Sequence, residues 1–83
     1  MRNMVTLQTP MITIAAGQET SIIHYHGRPG TPQVVAAWPQ DGNGYAHWCS
    51  FGLRGGFPGA HQWAVYNRAS AAAMVAIRYM VYA

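Results

Sequence analysis

The sequence contains no lysine, one cysteine and two carboxylates, and charged residues make up 8 % of it. An ordinary soluble domain carries about 25 %. Each shortage removes a class of explanation. Cys49 stands alone, so no disulfide can close within the chain. The five arginines are scattered and leave a net charge of +3, which makes no basic stripe and argues against nucleic acid as a partner. Glu19 and Asp41 both fall in turn-like segments, so nothing places them as an acid–base pair in one cleft. No apolar run approaches the ~20 residues of a membrane helix; the best stretch, 71–83, is short and carries Arg78. After Arg2, the residues Thr6, Gln8, Thr9 and Pro10 break what would otherwise be the apolar core of a secretory signal. A non-enzymatic chain without cofactor is the expectation.

Apolar residues are plentiful instead, at 51 %. An 83-residue chain fits one domain and buries only ~63 % of its unfolded surface. Few charges on a marginal core leave apolar surface exposed, and association between subunits would cover it. Glycine and proline clusters recur at 17–19, 27–32, 39–44 and 52–59, and a Ser/Ala-rich break follows Asn67. Between them lie runs rich in Val, Ile, Tyr, Trp and Thr. Short strands punctuated in this way indicate an all-β fold. Six strands are expected, at about 11–15, 20–26, 33–38, 45–52, 61–67 and 73–82, in a small antiparallel β-sandwich spanning 11–83. Residues 1–10 would be an N-terminal arm or extended segment. Alanines favour a helix at 69–74, but Val75, Ile77, Tyr79 and Val81 favour a strand and share one of its faces. That face is the expected core. The opposite face carries Met74, Arg78, Met80 and Tyr82, which, with Arg28, are the candidate contacts to another subunit or a partner protein.

Several constellations could carry chemistry. His47 and Cys49 would share a strand face, the raw material of a thiol nucleophile, or simply pack there. His24 and His26 also alternate along a strand. Two imidazoles are too few for a metal site, although a trimer could bring three such pairs to its axis. Trp38, Trp48, Trp63 and His61 are the candidate sugar contacts, since sugar sites combine aromatic faces with orienting polar groups. The glycine-rich 52–59 precedes a strand and not a helix N-terminus, so it is expected to be a hairpin loop and not a phosphate cradle. The stretch HYHGRPGTP at 24–32 closes a strand and then turns, glycine allowing positive φ and proline fixing φ.

The order of these elements resembles H-type-lectin-like β-sandwich domains of bacteriophage structural proteins. The shared features are the turn at Gly17, a strand ending in His26 and Gly27, the turn through Gly30, Thr31 and Pro32, and a strand opening on Val34 and Val35. A last hairpin, 64–83, breaks at Asn67 and the following Ser/Ala-rich turn. The resemblance implies a homotrimer, and with it a virion structural protein: a capsid decoration or cement protein on the capsid exterior, made in the bacterial host cytoplasm and bound to the major capsid protein. The alternative it implies is a carbohydrate-binding tip module of a tail fibre that recognises a cell-surface glycan.

Overall fold

The computed structural model describes residues 3–30 and 32–82. Its elements are β1 (Met4–Gln8), β2 (Ile12–Ile14), β3 (Glu19–Tyr25), β4 (Val34–Asp41), a single 3₁₀ turn (Ala46–Trp48), β5 (Cys49–Phe57), β6 (Ala60–Asn67) and β7 (Ala73–Tyr82). They form two antiparallel sheets. In the first, β7 lies in the centre, with β4 along one edge and β1 followed by β2 along the other. In the second, β6 lies between β3 and β5.

The all-β expectation is met, with seven strands where six were expected. The extra one is β1, inside the segment expected to be an arm or extended segment: its residues from Met4 to Gln8 are extended and pair with β7 of the same chain, from Tyr82 back to Arg78. Pro10 does end β1, because proline has no N–H to give the ladder. The pairing nevertheless resumes at Ile12, because Thr9 bridges the gap. Its backbone N–H donates to the Ile77 carbonyl, and its side-chain Oγ1 accepts from the Ile77 N–H, both at 2.9 Å. A buried hydroxyl thus substitutes for a backbone carbonyl in the ladder.

Two further expectations are corrected. Most of 52–59 is strand and not loop: β5 runs on to Phe57, and only Pro58 and Gly59 turn the chain. The extra residue between Leu53 and Gly55 is absorbed as a bulge. Residues 46–48, expected in a strand, form the 3₁₀ turn. The helical alternative at 69–74 does not form; residues 69–71 bend, and β7 starts at Ala73.

The inward faces of both sheets meet in one core. Val75, Ile77, Tyr79 and Val81 are fully buried there, as their shared parity implies, against Ile14, Ile22, Trp63 and Val65. Val5, Leu7, Ile12, Val34 and Phe51 close its margins. At one end of the core the fully buried Asn67 organises the chain reversal before β7. Its Nδ2 donates to the carbonyls of Ile14 at 3.0 Å and Ala71 at 2.8 Å, and its Oδ1 accepts from the Ala69 N–H at 2.9 Å. Buried amides are tolerated when satisfied in this way.

Candidate binding surfaces

The histidine-bearing turn at 24–32 lies at the opposite end. Gly27 and Gly30 both take positive φ, 72° and 71°, and the turn is stitched to the β5–β6 reversal by His26 N–H to the Gly59 carbonyl and Gly59 N–H to the Gly30 carbonyl. Thr31 lies outside the described residues. His24 on β3 and His26 just past its end do share a side, but it is the inward one; Ile23 and Tyr25 take the open face. His24 Nδ1 is 2.6 Å from the Tyr79 hydroxyl, which lies 3.4 Å from His61 Nδ1, while His61 Nε2 is 2.9 Å from the Pro32 carbonyl. The carbonyl can only accept, so His61 donates from Nε2 and accepts at Nδ1. The chain then runs in one direction: His24 donates to Tyr79, Tyr79 to His61, and His61 to Pro32. Burial pushes the Tyr79 phenol up to about 12. Burial lowers the pKa of His24, with the charges of His26 and His61 adding to it, and lowers that of His26, with His61 and Arg28 adding. The Arg28 N–H donates to His26 Nδ1 at 3.0 Å, which leaves the proton of neutral His26 on Nε2. That atom is buried without a partner among the described residues. No group of three or more His, Cys, Asp or Glu residues among those described could hold a metal ion. These histidines support the core.

His47 and Cys49 do not pair. His47 lies on the 3₁₀ turn with its ring 5.3 Å from that of Trp48, and the Cys49 thiol points to the Tyr45 carbonyl at 3.8 Å. Burial, then the charge of Asp41, raises the thiol pKa, the opposite of what a nucleophilic thiolate needs.

The four residues named as sugar contacts do not converge. His61 and Trp63 are 1 % and 2 % exposed, in the core, so neither ring is open to a ligand; β6 is a central strand covered on its inward side by Tyr79. Trp38 lies on the outside of the first sheet and Trp48 at one end of the molecule. Trp48 does have company that sequence reasoning missed. It lines a cleft of about 340 Å³ with Tyr45, Arg68, Ala69 and Ser70. Arg68 and Ser70 come from the reversal that Asn67 holds, far away in sequence. The only available signal was the cluster of polar turn residues after Asn67.

The outer face of the first sheet is the more extensive feature. Register places Met4 beside Tyr82, Thr6 and Ala36 on either side of Met80, Gln8 and Trp38 on either side of Arg78, and Thr13 beside Met74. Paired positions share a face. Met11 reaches the same face, since a Cβ on Gly42 would meet both Met11 Sδ and Met74 Cβ. All four described methionines therefore gather on one surface, with Trp38, around Arg78, the one charged residue of the described pairs on that face. Met4, Met11 and Met74 are each at least 40 % exposed, and Met80 and Tyr82 are half-buried. Arg28 is half-buried in the turn at 24–32 and does not belong to this face.

No protein-family model matches the chain, and neither a curated protein nor a solved structure is significantly similar to it.

Proposed function

We propose that the protein is a non-enzymatic structural module in which the two sheets form a β-sandwich and the methionine-bearing face makes the contacts of a homotrimer or of the surface on which it sits. The observation that carries this reading is that face: four methionines and a tryptophan around Arg78, on the outside of a sheet whose inward side is packed into the core. Methionine is unbranched and polarizable, and it suits surfaces that must fit against a partner. On the sequence resemblance to phage structural proteins, the partner we propose is a major capsid protein and the site of action the virion exterior. Sedimentation with empty capsid shells tests this. Co-sedimentation of the wild type that is lost in Met74→Glu supports it, and a wild type that stays in the supernatant rejects it.

The cleft beside Trp48 favours a second reading, a carbohydrate-binding module. An exposed indole and phenol beside a guanidinium and a hydroxyl offer both an apolar face and orienting polar groups. Loss of glycan-array binding in Trp48→Ala would support it, and a blank array from intact protein would reject it.

A further inference from the structure

We propose that the cleft between Trp48 and Arg68 binds a sugar ring that carries a carboxylate, an inference that rests on the carbohydrate reading and is independent of association through the methionine face. Its walls are built before any ligand arrives. On one side, Asn67 fixes the backbone of the loop bearing Arg68 and Ser70 through Ile14, Ala71 and Ala69. On the other, Asp41 Oδ1 accepts the N–H groups of Asn43, Gly44 and Ala46, and the Trp48 N–H closes onto the Tyr45 carbonyl at 3.0 Å. The walls are joined by the Arg68 N–H donating to the Trp48 carbonyl at 3.2 Å. Ligand sites are usually preformed in this way.

The side chains on this frame define the ligand. Trp48 is 51 % exposed and Tyr45 37 %, which gives two rigid amphipathic rings suited to the C–H face of a sugar. Ser70 supplies a hydroxyl that can donate or accept. Arg68 is the one charged residue lining the cleft. Its guanidinium carbon sits 6.0 Å from the centre of the Tyr66 ring, at the edge of cation–π range, and it makes no ion pair among the described residues. Asp41, the acid of the neighbouring wall, is taken up by backbone N–H donors and does not line the cleft. A planar guanidinium without a carboxylate partner matches one carboxylate in bidentate fashion. A nucleic-acid strand would need a row of cations tracking its phosphates, and this cleft offers one.

The test uses the whole protein labelled with ¹⁵N, whose three tryptophans give three indole N–H signals. Digalacturonic acid is titrated in, with neutral galactobiose, acetate and a thymidine oligonucleotide as comparisons. The expected result is a saturable shift of the Trp48 signal by the acidic disaccharide while that of buried Trp63 stays still. Arg68→Gln, an exposed change, should weaken it roughly tenfold or more, the size expected for a charge-assisted hydrogen bond, and Trp48→Ala, followed through the backbone amides of Arg68 and Ser70 that line the cleft, should show no saturable shift. Equal affinity for galactobiose overturns the acidic preference and leaves the carbohydrate reading standing. No response to either sugar overturns both. Acetate binding as tightly as the disaccharide reduces the site to a carboxylate contact and overturns the proposal. Tighter binding of the oligonucleotide, or a shift at Trp38 instead of Trp48, does the same.

Discussion

Single side chains here do work usually assigned to backbone. Thr9 is the plainest case, its hydroxyl completing the hydrogen bonding of Ile77 across the break at Pro10. Thr9→Val keeps the shape and removes the acceptor, leaving a buried N–H unpaired. The expected loss is about 1–3 kcal/mol, read as a lower urea midpoint at unchanged slope, and Thr9→Ser should recover most of it. His24 gives a pH dependence. Its pKa is lowered in the folded state by burial and by His26 and His61, and that of His26 is lowered as well. The unfolded chain, with histidine near 6.5, therefore binds protons that the folded chain refuses. Stability is complete above that value and is lost as pH falls through it toward the folded pKa values. Melting temperature should drop between pH 7.5 and 5, and His24→Gln should flatten the drop; a wild-type profile flat over that range would show that these histidines are not the acid-sensitive point.

Among the elements, β7 holds the first sheet together, since it pairs along both edges. Gly42 marks how closely β4 approaches it. A Cβ there would lie 2.5 Å from Met11 Sδ and 2.9 Å from Met74 Cβ. The thioether can swing away but a Cβ cannot, so Gly42→Ala should cost about 1–3 kcal/mol by overpacking, measured by thermal or urea unfolding. The strands differ in how far the sequence showed them. β7 was legible because Val75, Ile77, Tyr79 and Val81 alternate cleanly with its outward residues. The turn at 24–32 was legible because Gly27 and Gly30 need their positive φ. β1 was hidden because Pro10 marks a true break, and what repairs it is a contact between Thr9 and a residue far along the chain. β5 was hidden because glycine reads as loop wherever no neighbouring strand is known. In β6, Ala60, Ala64, His61 and Trp63 are all buried. Period two therefore could not tell its core side from its open one, and His61 and Trp63 passed for ligand contacts. The cleft was invisible for a related reason, since its two walls join only through the fold.

For the whole molecule, the quantity of exposed surface is ordinary and its character is not. The accessible area is 4840 Å², close to the roughly 4,900 Å² expected for a chain of this mass. Yet twelve large hydrophobic side chains are at least 37 % exposed, and one ion pair, Glu19 with Arg54 at 3.3 Å, is present among the described residues. Both its side chains are more than half exposed, so it adds little. The shortage of charge is thus concentrated into apolar faces, of which the methionine face is the one that surrounds Arg78. Association between subunits would cover this face. Native mass spectrometry across the micromolar range tests it most directly, on the wild type and on Met74→Glu combined with Met80→Glu. The expected result is a trimer that the double substitution converts to a folded monomer with unchanged β-sheet circular dichroism. A wild type that is monomeric at every concentration, or a double variant that remains a trimer, would contradict it.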